Sequence, residues 1–168
     1  SEMCIRDRDE VNDKIKKYYK DVKIGDPTDY DTDIGPLVDE NQMKTVLDYI
    51  QKGKDEGAEV LVGGGKVDRT GYYVEPTVFT NVKNSMTIAQ EEIFGPVLVV
   101  VPYDSEEEAI ELANDVDYGL SGAVTGPDFE SAMKVGKQIR TGNVFINGGD
   151  RSPPVSYTHL TLPTTPYV

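Results

Sequence analysis

The amino-acid sequence predicts an α/β protein in which helices flank a parallel β-sheet. Short apolar runs typical of buried strands occur at 60–62, 97–103, 120–125 and 143–147, and stretches with apolar residues at helical spacing lie before and between them. From residue 97 onward the two patterns alternate as strand, helix, strand, helix, strand. Because continuous apolar strands joined by helices are typical of parallel sheets covered on both faces, we expect these last three strands to share one such sheet, with right-handed crossovers.

Four amphipathic stretches predict the helices. The first spans 9–22, where apolar residues recur at helical spacing with lysines between them. The second begins at Asp39, which together with Gln42 three positions later is typical of a capping box. Ser105 and Asp128 are the predicted N-caps of the last two helices, since short polar side chains of this kind accept hydrogen bonds from the free N–H groups of a first helical turn.

The segment between the second helix and residue 97 predicts a strand, a turn and another strand. The glycines at 63–65 invite comparison with a phosphate-binding loop, but neither G-x-G-x-x-G nor G-x-x-x-x-G-K-[ST] fits them and no helix is predicted to follow. A turn is therefore the favoured interpretation. We expect a strand over 72–82, in which Pro76 requires an edge or bulged position because it has no N–H to donate.

An acidic loop after the first helix resembles part of a calcium-binding EF-hand. Asp29, Asp31 and Asp33 alternate as they do in such a loop, and Glu40 stands at the twelfth position. An EF-hand needs glycine at the sixth position for its sharp turn, whereas this sequence has Ile34 there. The favoured interpretation is a turn-rich connection in which aspartates accept hydrogen bonds from the neighbouring backbone.

The composition is that of an acidic globular protein of about one domain. The 168 residues carry a formal net charge of −13, and because nucleic-acid phosphates bind clustered Lys and Arg, we expect no nucleic-acid partner. No stretch approaches about 18 consecutive apolar residues and the N-terminus lacks a signal-peptide pattern, so we expect no membrane partner and a cytoplasmic location. The single cysteine, Cys4, and the single histidine, His159, give no basis for a disulfide or a zinc site, and we expect no metal.

Both ends of the chain differ from the sequence between them. Residues 1–8 show no useful period, and 151–168 form a Ser-, Thr- and Pro-rich run without an apolar repeat. The two ends resemble translated sequencing adapter. We therefore expect a non-native leader at 1–8 and a disordered, non-native tail at 151–168, neither of which contributes to the fold. The folded body is then 9–150, part of a domain that is truncated at both ends.

The most promising ligand-binding segment precedes the apolar strand at 97–103. Gly95 and Pro96 make a tight, rigid entry into this strand. Such a loop holds Glu92 and Phe94 in fixed directions, and a carboxylate that accepts two hydroxyl hydrogen bonds beside a flat apolar ring suits a ribose joined to an aromatic base. The alternative is a surface loop with two solvated acids and a core phenylalanine. Glu91 is expected to be a structural or solvated carboxylate.

Six short motifs in order give the sequence a family resemblance. They are GDP at 25–27, TDIGPL at 32–37, GYYVEPT at 71–77, EEIFGPV at 91–97, YGLS at 118–121 and TGNVFIN at 141–147. With them the sequence resembles the NAD(P)-dependent aldehyde dehydrogenase superfamily, and the likeness covers about residues 9–150, the C-terminal part of the catalytic domain. It implies an oxidoreductase in which a cysteine thiolate attacks an aldehyde, the thiohemiacetal passes a hydride to the nicotinamide, and a glutamate-activated water releases the carboxylic acid.

The same resemblance assigns roles to residues of this sequence. It implies that Glu92 binds the hydroxyls of the nicotinamide ribose and that Phe94 packs near the nicotinamide. The nucleophilic cysteine, the general-base glutamate and the dinucleotide-binding domain would lie before residue 9, and a closing segment would lie after residue 150, so no catalytic residue is assigned here. The resemblance further implies NAD or NADP as cofactor, a small aldehyde as substrate and homo-oligomers in the full-length enzyme.

The direction of the strand at 97–103 limits the ways in which the loop of Glu92 and Phe94 can meet a ligand. Ligands of open parallel sheets bind beyond the carboxyl ends of the strands, whereas Glu92 and Phe94 precede the strand that begins at Val97. We therefore expect the loop to serve a cofactor held by another domain and the fragment alone to be inactive. The alternatives are a non-catalytic α/β interaction module, favoured by the absence of Cys and His from 9–150, and a complete small nucleotide-binding domain, which lacks its glycine-rich strand-to-helix turn.

Overall fold

A computed structural model describes residues 2–5, as backbone only, and residues 8–148. The chain divides into two compact units, the first ending at Asp104 and the second beginning at Ser105. The elements of the first unit are β1 (Glu2–Ile5), α1 (Arg8–Tyr19), α2 (Glu40–Asp55), β2 (Glu59–Val62), β3 (Thr77–Thr80), α3 (Thr87–Gln90) and β4 (Val97–Pro102). Those of the second unit are α4 (Glu106–Asn114), β5 (Ser121–Val124), α5 (Phe129–Gly136) and β6 (Asn143–Ile146).

The first unit is built on a four-stranded sheet in the order β1-β4-β3-β2. β4 is parallel to both of its neighbours, with Val97 opposite Thr77 of β3, while β2 and β3 are antiparallel. Val78 and Val100 are fully buried and form a core cluster with Ile15 of α1. Side chains alternate across a strand, so Phe79 faces the opposite side, where it lies close to α2. Helices therefore cover both faces of this sheet, as the continuous apolar strand predicted.

The second unit contains a smaller parallel sheet. β5 pairs only with β6 among the described residues, from Ser121 opposite Asn143 to Val124 opposite Ile146. α5 connects the two strands, and its predicted N-cap is confirmed because the Asp128 carboxylate accepts a hydrogen bond from the Ser131 backbone N–H at 2.8 Å. Ser105 caps α4 in the same way through the Glu108 N–H at 3.1 Å. The predicted α/β class is thus confirmed in both units.

The strand pairing of the last third differs from the prediction. β4 belongs to the four-stranded sheet, whereas β5 and β6 form a separate pair, so the three strands do not share one sheet. The apolar run of β4 fixed its burial but carried no information about which strands would border it, because pairing is decided by contacts distant in sequence. The β5–β6 pair is also only half-buried along its described faces.

The strand predicted at 72–82 is shorter than expected. β3 begins at Thr77, and Val74 makes only an isolated bridge with Lys66. Of the two positions expected for this strand, the edge is wrong, since β3 lies between β4 and β2, whereas the register of β2 against β3 does shift between Val60 and Val62, as at a bulge. Pro76 is tolerated because it immediately precedes the strand, where its missing N–H removes no hydrogen bond from the sheet. The predicted glycine turn is observed, with Gly63 and Gly64 at positive φ.

The N-terminal segment takes part in the fold, contrary to the expectation for residues 1–8. Glu2–Ile5 forms β1, which pairs in parallel with β4 from Val99 to Pro102, and Arg8 begins α1. The physical reason is that β4 is a buried strand whose backbone N–H and C=O groups require partners on both sides. The non-native origin of residues 1–8 and 151–168 stays a prediction, and the tail lies outside the described residues. Within the part of the chain that the structure describes, no helix combines the length and apolar character needed to cross a membrane.

Candidate functional site

The predicted ligand-binding segment follows α3 and leads into β4. The backbone N–H of Thr77 in β3 donates to the carbonyl oxygen of Pro96 at 2.8 Å, which fixes the end of the loop to the sheet. The N–H of Val97 donates to the carbonyl of Gly95 at 2.8 Å, which makes a tight turn. The chain therefore enters β4 through a rigid connection, as Gly95 and Pro96 predicted.

Glu92 and Phe94 both project from this loop into solvent. The Glu92 side chain is exposed, and among the described residues its carboxylate has no hydrogen-bond or ion-pair partner. Phe94 is 75% exposed, and its backbone has a φ of +52°, a left-handed conformation that is uncommon for residues other than glycine. The alternative of a core phenylalanine is therefore wrong. An exposed aromatic ring on a strained backbone is typical of a ligand-binding position.

α2 packs against the loop and supports it. The Gln42 carboxamide donates from Nε2 to the carbonyl oxygens of Ile93, at 3.0 Å, and Phe94, at 3.1 Å. Gly95 packs directly on Val46, so closely that a Cβ at Gly95 would lie 2.6 Å from Val46 Cγ2. The glycine is thus required by close approach to the helix, and Gln42 satisfies two carbonyl groups that the loop leaves without strand partners.

Sequence reasoning assigned Gln42 only to the capping box. The Asp39 half of that prediction is confirmed, since the Asp39 carboxylate accepts a hydrogen bond from the Gln42 N–H at 2.8 Å. The Gln42 side chain, however, turns to the loop instead of back to the cap. The missed signal is a stripe along one face of α2 and its C-terminal end, which comprises Gln42, Val46, Tyr49, Gly53 and Glu56. We call this set the α2 stripe; its spacing of four, three, four and three residues places it on one helix face.

The lower half of the α2 stripe contacts α3. The Glu56 carboxylate accepts a hydrogen bond from the Thr87 backbone N–H at 2.8 Å. A Cβ at Gly53 would lie 2.8 Å from Ile88 Cδ1, so this glycine also permits close packing. The Tyr49 hydroxyl donates to the Glu91 carboxylate at 2.6 Å. Glu91 is therefore a structural carboxylate, one of the two roles expected for it.

The acidic loop does not assemble a metal site. The carboxylate of Asp29 accepts from the Asp31 N–H at 3.0 Å, and that of Asp33 accepts from the Lys23 N–H at 2.8 Å. Hydrogen bonds from the Thr28 side chain and backbone lower the pKa of Asp26. These aspartates thus stabilise local turns, as the favoured interpretation predicted. Over the described residues, no group of three or more His, Cys, Asp and Glu side chains could hold a metal ion.

Known proteins share both the sequence and the fold of this chain. A protein of Staphylococcus haemolyticus, provisionally named an aldehyde dehydrogenase, is 47% identical over 146 residues, which are 85% of this chain and 31% of the relative. A solved mutant of an aldehyde dehydrogenase from Bacillus cereus is 43% identical, with a TM-score of 0.84 over 88% of this chain and 30% of its own. The chain therefore spans about 31% of the length of the curated relatives it matches.

A further related structure was solved with ligands bound. Aldehyde dehydrogenase C of Pseudomonas syringae, a mutant in complex with NAD+ and octanal, is 39% identical, with a TM-score of 0.86 over 90% of this chain and 32% of its own. The model of the aldehyde dehydrogenase family matches residues 6–159. This range includes the EEIFGPV segment and the α2 stripe that holds it. On this match, and on the fold it shares with the solved enzymes, the chain belongs to the aldehyde dehydrogenase family.

Proposed function

We propose that this chain supplies the cofactor-facing edge of the active site in an NAD(P)-dependent aldehyde dehydrogenase. The observation that carries the proposal is the loop before β4, where Glu92 and Phe94 are exposed side by side on a backbone fixed by α2 and β3. The Pseudomonas syringae enzyme, which shares this fold, was solved with NAD+ and an aldehyde. The whole reaction belongs to a longer protein, of which this chain is about a third by comparison with its relatives.

Each side chain has one role in the proposed site. The Glu92 carboxylate has the acceptor capacity for both hydroxyls of the nicotinamide ribose, and no side chain in the described part of the chain competes for it. The Phe94 ring is 75% exposed and offers an apolar face against which the nicotinamide packs. When bound, NAD(P)+ accepts the hydride that leaves the aldehyde carbon.

The nucleophile and the general base are not supplied by the loop. Residues 8–148 contain no cysteine, and in this proposal the thiolate that attacks the aldehyde comes from another part of the longer enzyme. In that enzyme the thiolate adds to the carbonyl carbon, hydride leaves to NAD(P)+, and water cleaves the resulting thioester to give the carboxylic acid and the free thiol. Glu92 and Phe94 hold the cofactor in place through these steps.

A hybrid enzyme tests the proposal. Residues 9–148 replace the matching segment of the Staphylococcus haemolyticus relative, and Glu92→Gln and Phe94→Ala are compared with Glu107→Gln, an exposed acid of the second unit. A hydrogen bond to a charged group contributes about 1.5–3 kcal/mol, so we expect Glu92→Gln to raise the Kd for NAD(P)+ by about 10- to 100-fold. Calorimetric titration with NAD+ and with NADP+ measures this, while aldehyde-dependent NADH formation measures activity.

The 168-residue chain by itself is the control. We expect no aldehyde oxidation by it and no calorimetric saturation by NAD+ up to millimolar concentration, because two side chains do not offset the entropy lost when a dinucleotide is immobilised. Cysteine-independent NADH production by this chain would contradict the proposal. Unchanged cofactor affinity in the Glu92→Gln and Phe94→Ala hybrids would favour the alternative of a non-catalytic α/β interaction module.

A further inference from the structure

We propose that Tyr49 and Glu91 are a positioning pair that directs Glu92 toward the cofactor. The inference rests on the proposed function of Glu92, but its geometry lies elsewhere, in the contact between α2 and the start of the loop. The Tyr49 hydroxyl donates to Glu91 Oε2 at 2.6 Å. Such a short bond to an ionised carboxylate is charge-assisted and stronger than a bond between neutral groups.

The backbone conformation of Glu91 determines where the Glu92 side chain points once the Glu91 carboxylate is bound to Tyr49. Glu91 has φ −115° and ψ 150°, which is extended, and side chains alternate between opposite sides of an extended chain. Glu91 and Glu92 are both exposed, but only the Glu91 carboxylate is engaged by α2, and the next side chain along, Ile93, is buried. Anchoring Glu91 to α2 therefore sends Glu92 away from α2 and into solvent.

The remaining contacts make Tyr49 a firm anchor. Tyr49 lies in the α2 stripe, between Val46, which supports Gly95, and Gly53, which packs on Ile88. The Lys52 Nζ lies 4.9 Å from the centroid of the Tyr49 ring, so the ring also makes a cation–π contact along α2. The Glu91 backbone N–H donates to the carbonyl oxygen of Thr87 at 3.0 Å. Glu91, the residue that Tyr49 binds, is therefore the C-cap of α3.

Two adjacent acids of the motif thus have different functions. Glu91 is engaged by a tyrosine and is a positioning residue, while Glu92 has no partner among the described residues and is available to a ligand. Without the Tyr49 bond, Glu91 is free to rotate to the solvent side of the loop, where its negative charge would compete with that of Glu92. We therefore expect loss of the bond to weaken cofactor binding without removing any atom that touches the cofactor.

The test uses the same hybrid enzyme and a graded series of substitutions. Tyr49→Phe and Glu91→Ala remove the bond, whereas Glu91→Gln keeps an oxygen that accepts from the tyrosine hydroxyl. We expect the first two to raise the Kd for NAD(P)+ by about 3- to 10-fold, in line with a hydrogen bond worth about 1 kcal/mol, and Glu91→Gln to restore most of the affinity. Tyr30→Phe, at a fully exposed tyrosine of the same unit, is the matched control and is expected to leave the Kd unchanged.

Two measurements distinguish a positioning role of Tyr49 from a general loss of stability: a double-mutant cycle with Glu92 and hydrogen exchange of the backbone amides. If Tyr49 acts through Glu92, the effect of Tyr49→Phe disappears in a Glu92→Gln background. In the 168-residue chain, Tyr49→Phe should raise hydrogen exchange at the Glu91 amide, which donates to the Thr87 carbonyl, and leave that of β4 unchanged. An unchanged Kd in Tyr49→Phe, where Glu92→Gln weakens binding, would overturn the positioning role alone. An unchanged Kd in Glu92→Gln would overturn the proposed function, while the exchange measurement would still decide whether the pair orders the loop.

Discussion

The first and second units bury their apolar side chains to very different extents. In the first unit, Val78, Phe79 and Val100 are fully buried in a four-stranded sheet with helices on both faces. In the second, the described residues include one fully apolar side chain that is buried, Ala132, and α4 has none. Parallel strands are ordinarily covered on both faces, so the two-stranded pair of the second unit lacks the support that the first unit has. The candidate site is attached to the better-packed unit.

This difference matters for the proposed site because a ligand-binding loop is only as precise as its support. The loop of Glu92 and Phe94 is fixed by Gln42 and Val46 on α2 and by Thr77 on β3, all in the first unit. The polar caps of the second unit are equally regular, yet they hold helices with little buried surface. Regular hydrogen bonding and a closed core thus contribute separately to the stability of each unit. The comparison between the two units can be tested with matched substitutions.

The largest expected difference is between two phenylalanines. Phe79 of β3 is fully buried, and we expect Phe79→Ala to lower the free energy of unfolding by about 3–5 kcal/mol through lost burial and the cavity left behind. Phe129 of α5 is 58% exposed, and Phe129→Ala should change it by no more than about 0.5 kcal/mol. Urea unfolding followed by circular dichroism measures both. Equal losses for the two variants would show that the second unit is as tightly packed as the first.

Sequence reasoning predicted the features that depend on local signals. The caps at Asp39, Ser105 and Asp128 were identified because each is a short polar residue at the start of an apolar period, and the burial of β4 followed from its continuous apolar run. Gly95 and Pro96 likewise predicted the tight entry into β4, which the hydrogen bond from the Val97 N–H to the Gly95 carbonyl confirms.

The features that were missed depend on contacts between distant residues. The pairing of β4 with β3 and β1 joins segments far apart in the chain, and the apolar pattern of a strand is the same whichever neighbour it has. Gln42 contacts carbonyl groups 51 and 52 positions later, and no local rule links a helix glutamine to such a loop. The Tyr49–Glu91 bond spans 42 positions in the same way.

A second comparison uses two helical glycines that each face a close neighbour. At Gly53 of α2, a new Cβ would meet Ile88 at 2.8 Å and the Phe79 ring at 3.2 Å, both inside the core. Overpacking of this kind costs about 1–3 kcal/mol and exceeds the helix-propensity gain of about 1 kcal/mol, so Gly53→Ala should destabilise the chain. At Gly136 of α5, a Cβ would meet Ile146 Cδ1 at 2.7 Å.

A second atom, Val144 Cγ1, would lie 3.2 Å from that Cβ, but Val144 and Ile146 are both only half-buried, and the atom of Ile146 that would be met is the end of a flexible side chain. We therefore expect Gly136→Ala to be neutral or to stabilise by up to about 1 kcal/mol. Thermal unfolding of the two variants, recorded under one set of conditions, gives the sign of each change. A loss at Gly136 as large as that at Gly53 would mean that the strands of the second unit are held as firmly as the core of the first.

The smallest expected effect is the pH dependence of the α5 cap in the second unit. The pKa of Asp128 lies below its ordinary value of 3.8 because its carboxylate accepts a hydrogen bond from the Ser131 backbone. A carboxyl whose pKa is lower in the folded state stabilises that state above the unfolded pKa, and this contribution is lost as the pH falls through the folded pKa.

Protonation therefore weakens the α5 cap at acidic pH, in the unit with the least buried surface to compensate. We expect hydrogen exchange of the α5 amides, corrected for the intrinsic effect of pH, to accelerate as the pH falls below about 4, where the unfolded carboxyl and then the folded one become protonated. Asp128→Asn is the matched control, since asparagine caps a helix equally well but does not titrate. If the α5 amides of the asparagine variant show the same acceleration, the cap is not its source, and the loss of protection at low pH belongs to the unit as a whole.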